Sequence, residues 1–221
     1  MAVCIKTLIR NINLVIGCTN NCPYCYARRN CRRFHMTEDF SKPVFFERKL
    51  RLLDRRNPGI YLLTGMSDLA DWKSEWVRMT LDRIAQNPEN TYLFLTKSPD
   101  RLTFSSSLDN VWVGVTVTRA SELGRLASLK RRAACKHYFI TFEPLHESLG
   151  AFDTNGFEWV VVGSETGGRR GKITAHPAWV NEVAHQVRCA NTPIFMKEEL
   201  EKIMGSEAMI QELPLSFGSS A

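Results

Sequence analysis

Three thiols stand within eight residues in Cys18-Thr19-Asn20-Asn21-Cys22-Pro23-Tyr24-Cys25, a C-x3-C-x2-C spacing. Thiolates are the side chains that favour zinc and iron–sulfur clusters, and three this close can converge on one soft metal centre. The number of thiols matters as much as their spacing. A closed structural zinc site takes four protein ligands. Three thiolates therefore either recruit a fourth donor, such as Cys31 or His35, or leave one iron of a [4Fe–4S] cubane open to a ligand. The remaining alternative is three ordinary buried cysteines.

The elements that must position this loop can be read from the apolar runs. A first strand is expected over Ile12–Ile16, ended by Gly17 as the chain turns into the cysteine loop, and a helix over Tyr26–Arg33. Lys42–Phe46 reads as a short edge strand or an extended connector. Glu47–Arg56 reads as a helix ended by Asn57-Pro58-Gly59. Beyond it, β-branched and aromatic runs at Ile60–Leu63, Tyr92–Leu95, Val111–Val117, Tyr138–Phe142, Trp159–Val162 and Ile194–Met196 alternate with helical stretches. Those stretches are Ser74–Gln86, Pro99–Leu102, Arg119–Arg132, Pro177–Arg188 and Glu198–Ile203. Such alternation predicts an α/β fold with a parallel sheet and crossover helices. Residues 1–211 form one domain in this reading, and 212–221, with Pro214, Gly218 and two serines, form a loose tail.

In parallel β/α architectures chemistry gathers at the carboxyl ends of the strands. The residues leaving successive strands here are Thr64-Gly65-Met66-Ser67-Asp68, Thr96-Lys97, Thr116-Val117-Thr118, Glu143-Pro144, Gly163-Ser164-Glu165 and Lys197-Glu198. Six polar runs in phase predict one shared mouth facing a ligand. Glu143, Glu165, Lys97 and Lys197 are its candidate catalytic side chains, because charge entering a barrel mouth is costly unless it is paired or used. A plain Glu143–Lys197 ion pair is the structural alternative. For Thr64, Ser67, Ser98 and Thr118 the alternative is helix N-capping.

The cysteine spacing, the aromatic Tyr24 just before the last Cys and the position after a first strand resemble the radical S-adenosylmethionine (SAM) superfamily. The resemblance implies an open, partial (β/α)6-type barrel, here with a possible seventh strand. It implies Cys18, Cys22 and Cys25 as ligands of a [4Fe–4S] cluster whose open iron is chelated by SAM, with Tyr24 near the adenine. It places Gly65 against the SAM amino group, although this chain has Thr64-Gly65-Met66-Ser67-Asp68 where the superfamily usually has Gly-Gly-Glu, so Ser67 or Asp68 is the candidate substitute. Lys97 would then pair with the methionyl carboxylate, and Thr116 or Thr118 would bond the ribose. The implied activity is reductive cleavage of SAM to methionine and a 5′-deoxyadenosyl radical that abstracts hydrogen from a substrate, with the electron supplied by a flavodoxin- or ferredoxin-type donor.

Five further segments resemble a narrower group: Leu63–Asp68, Phe94–Arg101, Val111–Val117, Phe142–Leu145 and Trp159–Glu165. With His176–Val180 and Pro193–Lys197 they are similar to an uncharacterised radical SAM-like branch encoded by phages and mobile elements, over residues 12–200. A partner protein from the same element is part of that expectation.

The charge pattern bears on the substrate. Ten Lys and Arg stand against four acids between Arg28 and Arg56, which accounts for the whole net charge of +6. A local basic patch is an electrostatic footprint for a polyanion. Arg28, Arg29, Arg32, Arg33, Arg55 and Arg56 are accordingly candidate nucleic-acid contacts, with Trp72, Trp76, Trp112 and Phe45 as base-stacking faces or, equally, core. A nucleic-acid-modifying or repair enzyme is the first reading. A peptide- or small-molecule-modifying radical enzyme is the second, and a non-catalytic zinc module on Cys18, Cys22, Cys25 and Cys31 the third. No apolar run approaches the roughly 18 residues of a membrane span. The N-terminus lacks a signal-peptide layout, and seven cysteines, three packed together, argue against a disulfide framework, so a reducing cytoplasm is expected.

Overall fold

The computed structural model describes residues 2–54 and 58–217. Seven strands form one all-parallel sheet in sequence order. They are β1 (Ile9–Asn11), β2 (Ile60–Leu62), β3 (Thr91–Thr96), β4 (Val111–Thr116), β5 (His137–Phe142), β6 (Trp159–Val162) and β7 (Ile194–Met196). The sheet curls into a half-barrel. The longer helices are α1 (Tyr26–Arg33), α2 (Ser74–Ile84), α3 (Gly124–Arg132) and α4 (Pro177–Cys189).

Side chains alternate across a strand, and both faces of this sheet are covered, so the strands are apolar throughout rather than alternating. One face, with Tyr61, Phe94, Val113, Phe142 and Val162, packs under Ile84 of α2, Leu126 and Leu129 of α3 and Val180, Val183 and Val187 of α4. The other face carries Ile60, Leu93, Trp112, Phe139, Trp159 and Phe195, which close the inside of the half-barrel. Two residues further along, the same inner face becomes small or polar. Trp112 is followed by Gly114 and Thr116, Phe139 by Thr141 and Glu143, and Phe195 by Lys197. The strands thus rise from an apolar floor to a polar mouth at their carboxyl ends.

Gly114 is required by this floor. A Cβ there would lie 2.5 Å from the Phe139 ring, which fills the space across the β4–β5 pair. Gly114→Ala should therefore destabilise the fold by about 1–3 kcal/mol through overpacking, and the double change with Phe139→Leu should restore part of the loss. Urea denaturation of the three proteins checks this, and wild-type stability of Gly114→Ala would contradict it.

The structure corrects the expected first strand. The sheet begins at Ile9–Asn11, and its ladder ends where Ile12 N–H donates to Leu62 O at 3.0 Å. Val15–Ile16 leaves the sheet and pairs antiparallel with Val44–Phe45, which settles the 42–46 segment as a strand. The apolar periodicity of 12–16 reports burial, which either ladder supplies. Gly17, at φ +120°, then turns the chain into the cysteine loop, where a Cβ would meet Pro43 Cα at 2.8 Å.

The tail is also corrected, since residues up to 217 are tied down. Trp159 Nε1 donates to Glu212 O at 3.0 Å, and buried Phe217 packs edge-on to Trp112 and Trp159. Residues 218–221 lie outside the described residues. The helix expected over Glu47–Arg56 is a 3₁₀ segment, Glu47–Leu53. No helix among the described residues is long and apolar enough to cross a membrane.

Candidate functional site

A cavity of about 240 Å³ opens at the carboxyl ends of the strands, and its walls include Cys18, Cys22 and Cys25 together with Lys97, Thr116 and Glu143. The cysteine loop therefore lies against the mouth that the strand ends form. Cys25 is also the N-cap of α1, and its sulfur accepts from Arg28 N–H at 3.3 Å. Burial, with the nearby Asp68 carboxylate, pushes the Cys18 thiol up to about 12. No three His, Cys, Asp or Glu side chains among the described residues are grouped as ligands of a single ion. Cys31, the nearest fourth thiol, is buried on the inner side of α1, where its sulfur meets Thr37 Oγ1 at 3.1 Å. It does not line the cavity. His35 is exposed.

What holds the cysteine loop is a network that the sequence does not announce. The buried Asp68 carboxylate accepts from Asn20 Nδ2 (2.7 Å), Ala70 N–H (2.9 Å), Thr96 Oγ1 (2.6 Å) and Lys97 N–H (2.7 Å). Burial raises the Asp68 carboxyl above the usual carboxylate range, while the Thr96, Lys97 and Ala70 bonds pull it back. Asn20 accepts in turn from Ser98 Oγ at 3.0 Å. Next to it, Thr19 donates through N–H (2.8 Å) and Oγ1 (2.7 Å) to Asp71, which Arg101 also grips at 3.0 Å. Two of the three residues between the first two cysteines, Thr19 and Asn20, are thus anchored to the segments that follow β2 and β3. Asp68, expected to contact a ligand, directs its oxygens at the protein and acts as a positioning residue.

The other residues expected at the mouth divide into two groups. Those that face the cavity with unspent chemistry are few. Lys97 Nζ reaches only the Glu143 carbonyl, at 3.4 Å, and the Tyr24 ring, 5.4 Å from its centroid, and no ion pair among the described residues includes it. Burial pulls its pKa below the ordinary lysine value, against the upward pull of Cys22 and Glu143. Tyr24 lines the same wall, and burial together with Cys22 pushes its phenol up. Thr116 Oγ1 and Thr141 Oγ1 share a buried hydrogen bond of 2.8 Å at the base of the mouth.

The second group is committed to protein partners. Glu143 forms the expected ion pair with Lys197, which stands 3.7 Å from Glu199 as well. Burial works against the Lys197 ammonium, and the two carboxylates more than reverse it, so its pKa stands above the ordinary value. Glu165 is saturated by a bidentate grip from Arg169 (2.6 and 2.8 Å) and by Ile173 N–H (3.3 Å), which makes it the anchor of the loop after β6. Thr64 Oγ1 accepts from Leu95 N–H, Ser67 Oγ accepts from Trp72 Nε1, and Thr118 donates to Glu122. None of these hydroxyls caps a helix. Gly65 lines the cavity, and its carbonyl accepts from Tyr26 Oη at 2.5 Å.

The basic segment is also redistributed. Arg28 is withdrawn from the expected patch: its Nη2 donates to Asn20 O at 2.7 Å and its guanidinium lies over Phe40, so it braces the cysteine loop. Arg29, Arg32 and Arg33 are exposed. Arg55 and Arg56 lie outside the described residues. Trp72 and Trp112 are buried, and Trp76 stacks on Phe45 against the core, so none of the four serves as a free stacking face.

Residues 5–208 match the profile of a family described as "Protein of unknown function (DUF5131)". No curated protein and no solved structure matches the chain.

Proposed function

The chain belongs to the DUF5131 family, and from its own residues we propose that it is a radical SAM enzyme, with a [4Fe–4S] cluster on Cys18, Cys22 and Cys25 and SAM in the adjoining cavity. The observation that carries this reading is a cavity at the carboxyl ends of a parallel half-barrel whose wall holds three thiols and Lys97, which forms no ion pair among the described residues. The donor set fits such a cluster: three soft ligands stand on one loop and line the cavity, while the next thiol, Cys31, is buried behind the loop against Thr37 and does not line it. The same position of Cys31 weighs against a closed zinc site on four cysteines. When bound, the cluster would supply the electron, received from a flavodoxin- or ferredoxin-type donor, that cleaves SAM reductively.

The chain's own residues then bind and orient. Lys97 offers an ammonium that forms no ion pair among the described residues, matched to the methionyl carboxylate of SAM. The Thr116 and Thr141 hydroxyls offer hydrogen bonds to a ribose, and Tyr24 an aromatic face to the adenine. Glu143, with Lys197 and Glu199 behind it, fixes the charge beside Lys97. Asp68, Asp71 and Arg28 hold the cysteine loop still before any ligand arrives.

Two variants test the division of labour. Lys97→Ala and Glu143→Ala should take up iron as wild type does yet bind SAM about 10- to 100-fold more weakly, the worth of one or two charge-assisted hydrogen bonds. Equilibrium binding of SAM to anaerobically reconstituted protein measures this. Wild-type affinity in both variants would show that SAM does not occupy this cavity.

A further inference from the structure

Around the cavity opening stands a set of cations and rings that the chemistry proposed above does not use. On α1 one side is buried, through Ala27 and Cys31, and the other presents Tyr26, Arg29 and Arg33, followed at the helix end by Phe34. Tyr26 and Phe34, 49% and 58% exposed, are among the most exposed large apolar side chains of the described residues. Arg33 lies over the Phe34 ring at 5.3 Å. Tyr26 and Arg29 also line the cavity, so this face of the helix begins at the opening and leads away from it.

A second element faces it. The loop after β6 reads Thr166-Gly167-Gly168-Arg169-Arg170-Gly171-Lys172, and Thr166 lines the cavity. Its base is pinned by the grip of Arg169 on Glu165, which leaves Arg170 and Lys172 exposed. The two elements approach each other at Arg29, whose Nη2 lies 3.3 Å from where a side chain on Gly167 would begin. None of Arg29, Arg33, Arg170 and Lys172 enters an ion pair among the described residues, whereas Lys197 and Arg169, which also stand at the mouth, are neutralised by glutamates.

We propose that the surface formed by the Tyr26–Phe34 face of α1 and the 166–172 loop binds a single-stranded nucleic acid and leads one nucleotide toward the cavity. The proposal rests on the reading of the cavity as the reacting site. Unpaired cations spaced along a path match a phosphate backbone, and exposed rings between them offer the stacking faces that single strands use. A duplex would have to release its base first, because a stacked base cannot enter a cavity. This surface differs from the whole 28–56 basic segment, since Arg28 is spent on the cysteine loop and the 166–172 loop supplies the rest of it.

The test is fluorescence anisotropy over a salt series with the full chain. The probes are labelled 20-mer oligo-rU, 20-mer oligo-dT, a 20-base-pair DNA duplex and an acidic peptide of matched charge. At least one single strand should bind more tightly than the duplex and the peptide, and the tighter of the two identifies the polymer. Arg33→Gln/Arg170→Gln/Lys172→Gln should flatten the log–log salt slope by about 0.7 for each phosphate contact removed. Phe34→Ala should weaken binding about tenfold with the slope unchanged. Arg131→Gln/Arg132→Gln, in a groove between α2 and α3 that shares no residue with the cavity, should have no effect. Thermal melting confirms that each variant is folded. Equal binding of duplex or peptide, or equal loss in the Arg131/Arg132 control, would overturn the proposal. Because binding is read without SAM cleavage, such a failure would leave the cluster reading standing, and loss of the cluster would not by itself abolish binding.

Discussion

Replacing Cys18, Cys22 or Cys25 with Ala is expected to abolish iron binding, while Cys31→Ala, Cys135→Ala and Cys189→Ala retain it. The three loop thiols line one cavity, and the others do not. Cys31 is enclosed with Ile16, Ala27, Phe40 and Met66 and hydrogen-bonded to Thr37. Cys135 Sγ donates to Val111 O at 3.2 Å, and Cys189 is exposed on α4. Removing one of three ligands leaves two irons without a thiolate, so the loss should be nearly complete, whereas Cys31→Ala should cost only about 1 kcal/mol of packing. Iron and sulfide content after anaerobic reconstitution distinguishes the cases. A Cys31→Ala protein without iron–sulfur absorbance would put the fourth thiol back among the ligands.

Asp68→Ala should be the most damaging change that touches no cysteine. Four donors, from Asn20, Ala70, Thr96 and Lys97, converge on its carboxylate, and the residue is only 4% exposed. Deleting the acceptor leaves buried N–H and O–H groups without partners, at about 1 kcal/mol or more each. A loss of about 3 kcal/mol in urea denaturation is expected, together with poor iron incorporation, because Asn20 would lose its tie to the strand ends. Asp68→Asn keeps the shape but turns an NH₂ toward donors, so it should fall in between. Full iron content and wild-type stability in Asp68→Ala would show that the cysteine loop does not depend on this carboxylate.

Much of this architecture is legible in the chain because it depends on local pattern. Six apolar runs beyond residue 59 become β2 to β7, and the helix expected at Tyr26–Arg33 is α1. The same period-2 logic puts Lys97, Thr116, Glu143 and Lys197 above an aromatic floor. What escapes is direction and long-range pairing. Ile12–Ile16 is apolar enough for a strand, but nothing local says that its second half pairs with Val44–Phe45. Arg28 and Arg29 are adjacent and alike in sequence, yet a helix turns them 100° apart, one under the cysteine loop and the other to the opening. The clamps on Thr19 and Asn20 join side chains from different loops, and no spacing rule encodes them. The tail from 212 to 221 reads as loose from its Pro, Ser and Gly content, whereas in its described part a single aromatic, Phe217, packs against two tryptophans.

The most direct measurement is product analysis on anaerobically reconstituted protein given SAM and a strong reductant. The account predicts a brown protein with about four irons per chain that releases 5′-deoxyadenosine and methionine, and a Cys22→Ala variant that releases neither. A colourless protein holding one zinc, with SAM recovered intact, would contradict it.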